Sequence, residues 1–278
     1  MLLGLISHIL SLKALWIGSI VKNLLEIIMN TNFIYLVKKG FTLAEVLITI
    51  GIIGIVASMT MHSLITKHQE KKTVAQLKKT YSTVQQAYIQ AINKYGEPES
   101  WGITDTKSYV DEDGNTQTDK SGSYLMLRYL AENLNTINST IPSFYRYSLH
   151  KDNKLSQNFN KESYITLNDG TIIIIGNTEF TKYGFCDLAV LLNNCQQKGS
   201  CILGKDMFFF QIFQNPAKII PVGAQNSQYP PAKFSKTCNT TVSNMDSGKG
   251  CTAWVIYNEN MDYLHCDDLD WNTKTKCK

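Results

Sequence analysis

Arginine is nearly missing from this chain of 278 residues, which holds only Arg128 and Arg146. Cysteine is absent before residue 186, and proline is absent before residue 98. Charge is absent from Phe41 to Met61, with Glu45 as the one exception. Each gap excludes something. The formal net charge is +4, and residues 1–40 hold Lys13, Lys22, Lys38 and Lys39 against Glu26. The remaining 238 residues are therefore within one charge of neutral, so no basic field points to nucleic acid. The cysteine spacings are 9, 6, 37, 13, 15 and 11, so no close Cys pair offers a zinc site. Asp111-Glu-Asp-Gly-Asn115 is no EF-hand, because its glycine comes too early. No separated catalytic triad is present. Cys251 or Cys266 beside His265 makes a poor nucleophile pair, because neighbours in a strand point opposite ways. We expect no enzyme. There is no internal repeat and no long low-complexity tract.

All seven cysteines, Cys186, Cys195, Cys201, Cys238, Cys251, Cys266 and Cys277, lie in the last 93 residues. That usage suits disulfides in an exported domain, with an odd thiol left over. Cys238 with Cys251 and Cys266 with Cys277 would each close a short local loop. One more bridge is expected among Cys186, Cys195 and Cys201.

Residues 41–64 read as a helix long enough to cross a hydrocarbon core of about 30 Å. Gly51 and Gly54 interrupt it, as is common in membrane helices. Lys38 and Lys39 precede the run and keep that end in the cytoplasm, so the C-terminal bulk lies outside. A lone carboxylate in such a run is costly without a partner. Over residues 65–96 the pattern changes. Val74, Leu77, Tyr81, Val84, Tyr88, Ala91 and Tyr95 recur at alternating steps of 3 and 4, a narrow apolar stripe on a polar helix. An unbroken helix from 41 to 95 would be about 80 Å long. Gly96 and Pro98 end it. Residues 97–278 form the exported globular part. Within it, Ser163–Leu167, Asn168-Asp-Gly170 and Thr171–Ile175 predict a strand, a tight turn and a strand. Tyr124–Leu134 predicts a short helix. Met207–Phe213 and Thr252–Tyr257 predict strands, and Lys218–Pro231 a loop. The loops from Pro98 to Asn160 are where specificity is expected.

Lys38-Lys39-Gly40-Phe41-Thr42-Leu43-Ala44-Glu45, followed by that apolar run, resembles the cleavage and methylation signal of type IV prepilins and type II secretion pseudopilins. The resemblance implies a cut between Gly40 and Phe41 by a membrane prepilin peptidase, N-methylation of Phe41, and an assembly role for Glu45. In a filament, Glu45 would pair with the Phe41 amine of a neighbouring subunit. Family leaders are short and hydrophilic, so residues 1–40 suggest a true start at Met29. Many members have a proline where this chain reads Thr60-Met61-His62-Ser63, a departure that leaves any helix break there unexpected. Gly204–Phe210, Gly250–Ile256 and Asn260–Cys266 resemble the globular part of prepilin-type proteins. The implied fold is α+β and pilin-like, a long N-terminal helix packed on an antiparallel sheet with a disulfide-stapled C-terminal region. The implied function is a structural filament subunit, of a type IV pilus or a secretion pseudopilus. Its implied partners are the peptidase/methyltransferase, other pilin subunits, an assembly platform with its ATPase, and membrane lipid. The alternative is a single-span anchored binding domain that never polymerises. Asp267, Asp268 and Asp270, near Asp262 and Glu259, offer oxygen ligands for calcium, an idea with precedent among major pseudopilins.

Overall fold

The computed structural model describes residues 42–110, 112–119, 121–137, 145–149, 154–155, 163–242 and 244–277. The chain divides into two compact units, Met1–Met59 and Thr60–Lys278. Helix α1 (Leu43–Tyr95) begins in the first and continues into the second.

In the second unit, α1 is held by its stripe. Val74, Leu77, Val84, Tyr88 and Ala91 are buried, with Thr73, Thr80 and Ala87 beside them. Leaving the intervening lysines and glutamines to water is what a 3.6-residue period allows. Gly96 stops the helix with a φ of +80°, and its N–H closes onto the Ile92 carbonyl at 2.8 Å. That left-handed conformation is open to glycine at little cost.

The stripe lies on a six-stranded, wholly antiparallel sheet. Its strands are β3 (Thr136–Ile137), β6 (Ser163–Leu167), β7 (Ile172–Glu179), β8 (Phe185–Leu191), β10 (Met207–Phe213) and β11 (Lys218–Pro221). The order is β11-β10-β8-β7-β6-β3. Tyr81 stacks on Phe210 with ring centres 5.0 Å apart, and its hydroxyl donates to the Ile219 carbonyl at 3.1 Å. The Tyr88 hydroxyl donates to the Phe213 carbonyl at 2.8 Å. Cys186, Leu188, Val190, Phe208 and Ile212 complete this core from the sheet side. A second cluster lies on the opposite face, where Ile172, Ile174, Ala189 and Leu191 meet Cys201, Leu203 and Met207. Outer pieces include β9 (Ser200–Ile202), paired in parallel with β4 (Tyr145–Tyr147), which also pairs with β5 (Lys154–Leu155). β1 (Lys107–Val110) and β2 (Thr116–Asp119) form a separate hairpin.

Three sequence expectations are corrected. Thr252–Tyr257 is not a strand but part of α5 (Cys251–Asn258), after the short helices α3 (Phe180–Tyr183) and α4 (Phe234–Thr237). Cys251 through Ile256 are all buried, so no polar face exists to reveal a helical period, and a short apolar run is ambiguous by pattern alone. The segment Lys218–Pro231 starts with β11 rather than loop. β11 is an edge strand, where Pro221 costs no ladder hydrogen bond. The helix expected at Tyr124–Leu134 is α2 (Ser121–Ala131), begun earlier because the Asp119 carboxylate accepts the Ser121 N–H at 2.8 Å. Strands β6 and β10 stand where the sequence reads them, and β7 pairs with β6 as expected but runs on past Ile175 to Glu179. At their turn, Gly170 takes a φ of +81° and the Thr171 N–H donates to Asp169 Oδ1 at 3.1 Å.

Candidate processing and assembly site

Helix α1 starts on a reciprocal cap. The Thr42 N–H and the Thr42 hydroxyl both donate to Glu45 Oε2 at 2.9 Å. The Glu45 N–H returns to Thr42 Oγ1 at 3.3 Å, and the Val46 N–H donates to the Thr42 carbonyl at 3.2 Å. This is a capping box, in which two backbone donors without helical partners are satisfied by side chains. The carboxylate also sits at the positive end of the helix dipole. The lone charge thus has partners inside its own chain. The Thr-x-x-Glu spacing is the signal for this cap in the sequence, set just before the apolar run.

The turns that follow present apolar side chains on every side. Leu43 is 79% exposed and Ile53 65%, and Leu47, Ile50, Ile55 and Val56 are exposed as well. Nothing lies within 4 Å of a side chain placed at Gly51 or Gly54. A bare apolar surface of this extent marks an interaction site. Among the described residues no helix is long and apolar enough to cross a membrane. The expected span 41–64 includes Phe41, which lies outside the described residues, and the side chains of 58–60, 62 and 63, which do too. Lys38, Lys39, Gly40 and the whole of 1–40, with the alternative start at Met29, also lie outside them.

The other expected sites lie in the second unit. Cys238 is bonded to Cys251, Cys266 to Cys277, and Cys195 to Cys201. These are the two local pairs offered by the sequence and one of the three open choices. Cys186 is the free thiol, buried in the core under α1, and burial pushes its pKa well up. Cys251 and Cys266 therefore present no thiol to His265, whose Nε2 stands 2.8 Å from Glu70 Oε1. The three aspartates do not converge. Asp270 Oδ1 accepts the N–H groups of Asn272 and Thr273, Asp268 pairs with Lys274, and Asp267 is exposed. Among the described residues no group of three or more His, Cys, Asp or Glu is placed to hold a metal ion.

Two family models match the chain. One, described as a family of unknown function (DUF6613), covers residues 63–260. The chain belongs to this family. The DUF6613 region takes in the second half of α1, the six-stranded sheet and α5, and ends before the Cys266–Cys277 loop. The other model, the prokaryotic N-terminal methylation motif, covers residues 37–61 and meets the DUF6613 region almost end to end. The chain therefore carries a prepilin-type signal, and Thr42, Glu45 and the exposed apolar turns fall within it. No curated protein and no solved structure matches the chain.

Proposed function

We propose that the protein is a structural subunit of a type IV pilus or type II secretion pseudopilus. In this reading the prepilin peptidase cuts between Gly40 and Phe41 and methylates Phe41. The subunit waits in the inner membrane with its N-terminus in the cytoplasm and its globular part outside. An assembly platform and its ATPase then pack it into a filament, extracellular or periplasmic, through the first half of α1. The observation that carries the reading is the methylation motif at residues 37–61, whose capped helix start leads straight into bare apolar turns. In water those side chains would cost about 25 cal/mol for each Å² left unburied, so they call for lipid or for like helices. Glu45 then has two successive partners, Thr42 in the free subunit and the Phe41 amine of a neighbour in the filament.

The test is N-terminal peptide mass spectrometry on membrane-associated protein, from cells with and without prepilin peptidase. A peptide beginning at N-methylated Phe41, found only with the peptidase, is expected. An N-terminus running through Gly40 in both strains would reject processing and leave an anchored, non-polymerising domain.

A further inference from the structure

Where α1 enters the second unit, its outward side is apolar first and then basic. Met61, Leu64 and Ile65 are exposed. Lys67, Lys71 and Lys72 follow them and are exposed as well. At 3.6 residues per turn, these six side chains fall within one arc of about 160°. Glu70, the one carboxylate between Met61 and Lys72, lies outside that arc. Its side chain is 18% exposed, and its Oε1 meets His265 Nε2 at 2.8 Å, so it is turned to the body of the unit. The helix has sorted its charges, acid inward and lysine outward.

The lysines of α1 also differ in what they touch. Lys78 pairs with Glu259, and Lys79 with Asp169 at 2.9 Å. Lys67, Lys71 and Lys72 make no ion pair among the described residues. The loop that meets α1 at this level, where the Asn193 amide donates to the Thr73 hydroxyl at 3.2 Å, carries Lys198 and Lys205, both exposed. On the other loop, beyond His265, Asp267 is exposed and Asp268 is engaged by Lys274.

Apolar side chains followed by unpaired ammonium groups is the order in which a helix leaves a bilayer. From Lys67 to Lys72 the helix rises about 8 Å. The headgroup layer on each face of a bilayer is roughly 5–8 Å thick. A lysine stem can lie along apolar surface while its charged end reaches the headgroups.

We propose that Lys67, Lys71 and Lys72 form a collar that seats α1 on anionic lipid headgroups at the outer face of the inner membrane. The inference rests on the reading that residues 41–64 lie in that membrane, and it adds the class of lipid and the place of contact. Lysine beside the exported end of a span opposes export, so these three call for counter-charge on that side. Lipid phosphates supply it. In a zwitterionic headgroup the lipid's own ammonium competes for the phosphate, and in an anionic one it does not. The collar sets how deep the helix sits, and drawing the subunit into a filament strips those lipids away.

The experiment is electron spin resonance on the full chain reconstituted in phosphatidylcholine bilayers, with spin-labelled phosphatidylglycerol or phosphatidylcholine as tracer. Lipids touching the helix are slowed, and the slowed fraction gives their relative affinity. One lysine near an anionic surface is worth about fivefold in affinity. The glycerol lipid should therefore be favoured about fivefold at low salt. In about 1 M salt the two lipids should become nearly equal, because screening then acts within about 3 Å. Lys67→Gln, Lys71→Gln and Lys72→Gln together should remove most of the preference. Lys78→Gln with Lys79→Gln, which loses only pairs to the body, should keep it. A preference that survives the triple variant and vanishes with Lys38→Gln and Lys39→Gln belongs to the other flank and overturns the collar. Equal affinity for both lipids in the wild-type chain overturns it too, and leaves the three lysines to an acidic protein partner. Slowed lipid of neither kind means that α1 does not enter the bilayer, which overturns the membrane placement together with the collar.

Discussion

Thr42 and Glu45 each serve the other, so the two can be separated only by choosing the replacement with care. Thr42→Ala removes a donor to the carboxylate and the acceptor for the Glu45 N–H. A lost cap of this kind costs about 1 kcal/mol. We expect amide exchange over residues 43–47 to quicken about fivefold, which exchange mass spectrometry would read. Glu45→Gln keeps a side chain able to cap but carries no charge. On the proposed function it should preserve amide protection and cleavage at Gly40–Phe41, yet lose filament incorporation as fully as Glu45→Ala does. Comparing sheared filament fractions with cellular protein for the two variants decides the matter. If Glu45→Gln still assembles, the cap rather than the charge is what the filament needs.

At the scale of the element, α5 is the instructive case. Trp254 is fully buried, stacked on Phe234 at 4.4 Å and edge-on to Trp271 at 5.2 Å. Its Nε1 donates to Asn260 Oδ1 at 2.9 Å, and the Asn260 amide donates to the Thr275 carbonyl at 3.0 Å. One indole thus joins α5 to the last disulfide loop. Trp254→Ala should cost about 3–5 kcal/mol in denaturant unfolding. A cost under about 1 kcal/mol would mean the aromatic cluster collapses freely into the space. The same completeness of burial hid this helix from the sequence. The second half of α1 is legible because one face is apolar and the rest is not, whereas α5 is buried from Cys251 through Ile256. β8 is hard to read from sequence for a related reason, since Asp187 breaks an otherwise apolar run and lies beside the bulge in β7.

Across the whole second unit, long-range ties supplement the core. Lys79 pairs with Asp169 at the β6–β7 turn at 2.9 Å, and Lys78 pairs with Glu259 just past α5. Such exposed pairs are worth well under 1 kcal/mol each. The disulfides count for more. Cys238–Cys251 anchors the start of α5 to the end of α4 and lies within the family match, whereas Cys266–Cys277 lies beyond it. Replacing Cys238 and Cys251 together by serine should cost about 3 kcal/mol by freeing the unfolded chain. Urea midpoints of the double variant against wild type measure it, and an unchanged midpoint would show that packing around α5 suffices.

Sequence alone determined what is local or periodic: the methylation signal, the stripe from Val74 to Tyr95, the glycine stop, the Asp-Gly hairpin and two short-range disulfides. In each, the deciding interaction lies within a turn or a few residues along the chain. Tertiary structure decided the rest. It chose Cys195 over Cys186 as the partner of Cys201, because Cys186 points into the core beneath α1. It made α5 a helix where the buried run Cys251–Ile256 carries no periodic pattern to announce one. It also set Asp187 opposite Gln211, because strands distant in sequence meet only when the sheet forms.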